Sequence, residues 1–142
     1  MNIEVGFQIE SPNIFVPWKI GENELTALFV GSTLDKVANG YFTVECEALG
    51  RMRIKVGFHF TPRQSGVLTE LEFFRNYPLS LEISYYEFQH HLESTFGKPS
   101  AQELGSAGFQ SYAWKRETVE IVHYVFDRFG PEEHVRIKKL HQ

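Results

Sequence analysis

Apolar and polar residues alternate with a period of two along much of the chain, and that period is what a β-strand with one buried face requires. Ile3, Val5, Phe7 and Ile9 alternate with Glu4, Gly6, Gln8 and Glu10. Further strands are read over Tyr41 to Glu47, Arg51 to Phe60, Val67 to Phe74, Phe109 to Lys115, Thr118 to Phe126 and His134 to Leu140. Thirteen Phe, six Tyr and two Trp point the same way, because aromatic residues fit a pleated, half-buried surface. The expectation is a single α+β domain over residues 1–142 whose mostly antiparallel sheet has six or seven strands.

Helical signals are fewer. Ser84-Tyr85-Tyr86-Glu87 reads as a capping box, with Ile83 poised to meet Phe88 as a hydrophobic staple. Tyr85, Phe88, Leu92 and Phe96 form one apolar stripe, and Gly97 before Lys98-Pro99 is a stop, so a helix is predicted over 85–96. A shorter helical segment is predicted at about 22–38. There Leu25, Leu28 and Phe29 have helical spacing, and Ser32 with Asp35 caps a second piece carrying Leu34, Val37 and Ala38. The order of elements suggests two α-β-β-β units after an initial strand. Ser100 to Gly108 reads as a small-residue loop, the most mobile segment.

Charges choose the strand registers. A three-residue Ala48-Leu49-Gly50 loop sets Glu47 opposite Arg51, Glu45 opposite Arg53 and Thr43 opposite Lys55, with Cys46 facing Met52 on the core side. A two-residue Arg116-Glu117 loop pairs Trp114 with Val119, Tyr112 with Ile121 and Gln110 with His123.

The composition excludes several function classes. Apolar residues are 42% and charged residues 23%, an ordinary globular mix. A net charge of −4 is too weak a field for nucleic-acid binding, so no nucleic acid is expected as partner. The stripe Arg51, Arg53 and Lys55 reads as a salt-bridged sheet surface. One cysteine, Cys46, allows no intramolecular disulfide and fits a cytoplasmic protein. The start of the chain lacks a signal-peptide pattern, and no apolar run approaches the length of a membrane helix, so no membrane association is expected. Glycine-rich phosphate loops, HExxH and nucleophile-elbow patterns are missing, so neither catalysis nor a cofactor is expected. His90 and His91 point in different directions on a helix, and Glu87 with His91 supplies two ligands at most, so no metal site is expected.

Two candidate sites remain. His123 lies on a strand apolar on both faces. With Gln110, Tyr112 and Trp114 it lines a ligand pocket, or else it is a core histidine satisfied by Gln110 or a backbone carbonyl. The connector between Pro12 and Trp18 carries Ile14, Phe15, Val16 and Trp18, which either form a partner interface or close one end of the core. The leading expectation is a small non-catalytic interaction module that binds a protein partner or a second copy of itself. It is similar in general look to bacterial accessory proteins of the immunity type, a likeness that no motif carries. The alternative is a small-ligand-binding protein or enzyme with its pocket near His123.

Overall fold

The chain opens with a hairpin of β1 (Gly6–Ile9) and β2 (Ile14–Pro17), which forms its own two-stranded sheet in the computed structural model, where residues 1–62, 66–75 and 80–140 are described. Helix α1 (Glu22–Leu28) then leads into β3 (Asp35–Ala38), β4 (Tyr41–Ala48), β5 (Met52–Thr61) and β6 (Val67–Phe74). Helix α2 (Leu81–Phe96) leads into β7 (Ala101–Leu104), β8 (Gln110–Lys115), β9 (Val119–Asp127) and β10 (Pro131–Lys139). The two meanders join through β6 and β10 into one antiparallel sheet of eight strands, ordered β3-β4-β5-β6-β10-β9-β8-β7. The fold is α+β. Its two halves follow the expected repeat, each lengthened by one strand, so the sheet exceeds the six or seven strands predicted.

The additional strands lie where the sequence suggests helix and loop. Helix α1 ends at Leu28, Gly31 takes a φ of 85°, and the predicted second helical piece is instead β3. The 100–108 segment is β7 followed by a 3-10 turn, Ser106–Gly108. Both corrections have one cause. A helix of a single turn fixes several residues for one hydrogen bond, whereas a short segment beside a sheet edge gains a bond for each aligned group. The first strand is shorter than the alternation implies, because Val5 and Gly6 donate to the Asn2 carbonyl in a turn that leaves Val5 exposed. The expected turn at 61–66 and the break at Asn76-Tyr77-Pro78 lie partly or wholly outside the described residues.

Helix α2 starts one turn before the predicted capping box. Ser80 is the N-cap, its hydroxyl accepting from Ile83 N–H at 3.1 Å, while Ser84 sits inside the helix and donates to Glu133. Glu87 pairs with Arg75 at 2.7 Å, and Ile83 is exposed rather than stapled to Phe88. The stripe of Tyr85, Phe88 and Leu92 is buried, with Phe96 packed at its margin. Ser80→Ala is expected to cost ~1 kcal/mol in a urea unfolding titration, the usual worth of an N-cap acceptor; an unchanged midpoint would place the helix start elsewhere.

Both hairpin registers are shifted by two residues from the predicted ones. Glu47 faces Arg53, Glu45 faces Lys55 and Cys46 faces Ile54. Across the second hairpin Trp114 faces Ile121 and Tyr112 faces His123. A shift of two preserves which face each side chain occupies, so Val44, Ile54 and Val56 are buried and Glu45 and Arg53 exposed as predicted, whereas Thr43 on the charged face is buried and Cys46 on the core face is only half-buried. What moves the first turn is Leu49, only 1% exposed, which the core claims at the cost of positive φ angles at Leu49, Gly50 and Arg51. The Glu10 carboxylate accepts from the Gly50 and Arg51 amides, and His91 Nδ1 donates to the Leu49 carbonyl at 2.7 Å. Glu4 holds the second turn in the same way, accepting from Thr118 N and Oγ1, both at 2.9 Å. The backbone bond from Thr118 keeps the Glu4 carboxyl below its usual range.

One face of the large sheet is covered. The β1-β2 hairpin sets Phe7 against Phe73, with ring centroids 5.3 Å apart, and Phe29 after α1 meets Phe58 at 5.7 Å. Phe88 and Leu92 of α2 join the same core, which reaches Trp114, Ile121, Val135 and Ile137. The packing of the hairpin, of Phe29 and of α2 is all against this one face, and among the described residues no helix is long and apolar enough to cross a membrane.

Candidate functional site

His123 is fully buried on the covered face, with both ring nitrogens engaged. Nδ1 lies 2.8 Å from Gln89 Oε1, and Nε2 lies 2.6 Å from Glu133 Oε2. Gln89 Nε2 donates to Glu93 at 2.8 Å, so its oxygen faces His123 and Nδ1 carries a proton. A second proton lies between Nε2 and the Glu133 carboxylate, whose other oxygen accepts from Ser84. The result is a chain of bonds that ties α2 to β9 and β10. It does not form a nucleophile-base pair, because Ser84 bonds the carboxylate and not the imidazole.

The four residues expected around a pocket are only partly brought together. Tyr112 is the cross-strand neighbour of His123, with rings 6.4 Å apart, and Tyr85 packs at 4.7 Å. Gln110 lies two residues beyond that pair, and its carbonyl accepts from the Tyr85 hydroxyl at 2.8 Å. Burial, with Tyr112 beside it, pushes the Tyr85 phenol up, which keeps it a donor. Trp114 is fully buried and donates to the Gly97 carbonyl at 2.8 Å.

The connector residues separate. Val16 and Trp18 belong to the core, Trp18 donating to the Ile3 carbonyl at 2.7 Å, and Ile14 packs against it. Phe15 stands at the surface over Gly6, where a Cβ would meet the Phe15 ring at 2.7 Å and clash with the Val16 carbonyl oxygen.

Cys46 is half-buried beside a polar cleft of about 400 Å3 lined by Ser11, Thr33, Glu45, Glu47 and Arg53. Burial, then the charges of Glu10 and Glu47, push the thiol up to about 12. Near neutral pH almost no thiolate exists, so labelling by iodoacetamide is expected to be slow until the protein unfolds; rapid native-state labelling would contradict this placement.

The open face holds what the sequence reading passed over. Strand register stacks its side chains into rows that cross the sheet. One row runs Lys115, Glu120, Lys138, Glu70, His59, Tyr41, an alternation of charge that ends in an imidazole stacked on a phenol, 4.5 Å between ring centroids. The next runs Ala101, Ala113, Val122, Arg136, Glu72, Gly57, Thr43. Arg136 bonds Glu70 at 2.6 Å and Glu72 at 2.8 Å, and His59 meets Glu72 at 2.9 Å. A Cβ at Gly57 would lie 2.9 Å from the Tyr41 ring, so glycine there lets Tyr41 settle over the strand. Tyr124 stacks on His134 at 5.0 Å, and Phe126 continues the stripe at 48% exposure. Beside Tyr124 the small side chains of Ala101 and Ala113 leave a groove of about 390 Å3, with Val122 in its lining and Lys115, Ser111 and Glu103 around it.

Burial alone would raise the Glu72 carboxyl, but the His59 hydrogen bond and the Arg136 guanidinium outweigh it and hold the group below its ordinary value. Its contribution to stability is therefore complete above the unfolded-state pKa and lost as pH falls through the lower folded value. Arg136→Met is expected to raise the Glu72 titration midpoint followed by carboxyl NMR; an unmoved midpoint would mean the ion pair is not formed. The signal for this face was present in the polar half of each alternating run, but only the register shows which polar residues meet.

Among the described residues no group of three or more His, Cys, Asp or Glu is placed to hold a metal ion. No protein-family model matches the chain, and no curated protein matches it. Among solved structures the chain is similar to a DUF4309 family protein (YjgB) from Bacillus subtilis subsp. subtilis str. 168, with 14% identity, 84% of this chain and 78% of that chain covered, and a TM-score of 0.46.

Proposed function

We propose that the chain is a non-catalytic interaction module that binds a protein partner on the open face of its eight-stranded sheet. The observation that carries this reading is the contrast between the two faces. One is closed by the chain's own helices and hairpin, while the other carries Phe126 at 48% exposure beside the partly exposed Tyr124, Tyr41 and Arg136. Tyrosine and arginine are the residue types that anchor protein interfaces, since they offer large contact area together with directional polar groups. Engagement of both His123 ring nitrogens inside the core also favours binding over chemistry at that residue. A reducing, cytoplasmic setting fits the lone cysteine.

The test is site-specific photo-crosslinking in the source cell. A benzophenone side chain at Tyr124 is expected to label a partner protein, and the same group at Tyr86, exposed on α2, is expected not to. Equal labelling from both positions, or a small-molecule turnover that His123→Ala abolishes, would overturn the reading.

A further inference from the structure

The sheet ends in two very different edges. Strand β3 carries Lys36 and an irregular register between Lys36 and Ala38, which are devices that discourage a further strand. Strand β7 has no lysine, and the irregularity that borders it lies before its first residue, where Ser100 N–H donates to the Ala113 carbonyl at 2.8 Å. Its four residues are exposed and pair in unbroken register with β8, from Ala101 opposite Ala113 to Leu104 opposite Gln110. Gly105 N–H donates to the Phe109 carbonyl at 2.8 Å. In this register that bond makes Ala101 and Glu103 the hydrogen-bonded positions and turns the amides of Gln102 and Leu104 outward. The groove of about 390 Å3 on the open face includes Ala101, so it adjoins this edge.

We propose that β7 is an acceptor edge, to which an extended segment of a protein partner adds as a further strand, seating one bulky apolar side chain in the groove over Ala101, Ala113 and Val122. In this binding mode main-chain bonds supply affinity and a pocket for alternate side chains supplies specificity. The charges at the groove extend the match. Lys115 faces Glu120 across the register, whereas Glu103 faces Ser111 and presents its charge at the edge, which calls for a basic residue on the incoming strand beside it. A second copy of this chain fits less well. A pairing of two β7 strands centred on Glu103 sets like charges together, and four residues span only ~13 Å, far short of a stable dimer interface. The proposal rests on the open face being the binding surface, and it names the edge and the partner's conformation.

The probe is a phage-displayed library of random linear dodecapeptides. Enriched peptides are expected to share an alternating pattern with one large apolar residue and a basic residue two positions away. Ala113→Phe fills the groove, and Gln102→Pro removes an outward donor while leaving the bonds to β8 in place. Each is expected to weaken the enriched peptides by ~10-fold or more, and Glu103→Lys to shift the preference towards acidic peptides. Far-UV dichroism checks that each variant is folded, and amide exchange on the wild type is expected to slow at Gln102 and Leu104 when peptide binds. Failure to enrich any peptide, or peptides indifferent to all three substitutions, overturns the proposal. If such indifferent peptides are lost on Tyr41→Ser, the open face still binds and the edge mode alone fails. A dimer in sedimentation that Gln102→Pro dissociates would assign the edge to a second copy instead.

Discussion

Glu133→Ala is expected to lower the unfolding free energy by ~1–3 kcal/mol, because it strips the partner from a buried imidazole nitrogen and leaves that polar atom unsatisfied. His123 has no access to water, and its Nε2 lies 2.6 Å from Glu133. Gln89 cannot take over, since its orientation is held by Glu93 and its oxygen already serves Nδ1. The Ser84 hydroxyl loses its acceptor in the same step. Replacing both members, His123→Leu with Glu133→Leu, is expected to recover much of the loss, as exchange of a buried pair for apolar side chains often does. Urea unfolding of the two singles and the double measures the coupling. A single-substitution loss below ~1 kcal/mol would mean that the two groups act independently of each other.

Trp18→Ala is expected to cost ~3–5 kcal/mol, the range for deleting a buried aromatic side chain, whereas Phe15→Ser is expected to stay within ~1 kcal/mol. The two residues lie three positions apart on one short segment, yet Trp18 is 8% exposed and bonded to the Ile3 carbonyl while Phe15 is 37% exposed. Thermal or urea midpoints of the two variants provide the check. Similar losses at both positions would show that the β1-β2 hairpin docks through Phe15 as well.

Much of this architecture was legible in the residues. The alternating runs located all the long strands, since only a period of two keeps Ile54, Val56 and Phe58 on one side while Arg53 and Lys55 stay on the other. The stripe Tyr85, Phe88, Leu92 located the helix body. The ends of these elements were less legible because local signals compete. Ser80 and Ser84 both precede helical sequence, and the choice between them fell to Glu133, a residue 49 positions downstream that takes the Ser84 hydroxyl. The candidate site divides in the same way. His123 stood out as a polar residue in apolar sequence, but its partners came from α2 and β10 rather than from Gln110 on β8.

What the sequence determined by itself was, for the long strands and the body of α2, the set of faces, and that the chain makes an antiparallel sheet. Those properties follow from periodicity, and a slip of two residues leaves them unchanged. Register, by contrast, was decided by tertiary structure. Cross-strand charge pairing is worth only ~0.2–1 kcal/mol per pair, and Glu47 finds a cation in either register, Arg51 or Arg53. The core's demand for Leu49 and the grip of Glu10 and Glu4 on the two turns act across 40 and 114 positions of sequence, beyond the reach of any local pattern. With the register set, the rows of the open face and the groove at β7 follow.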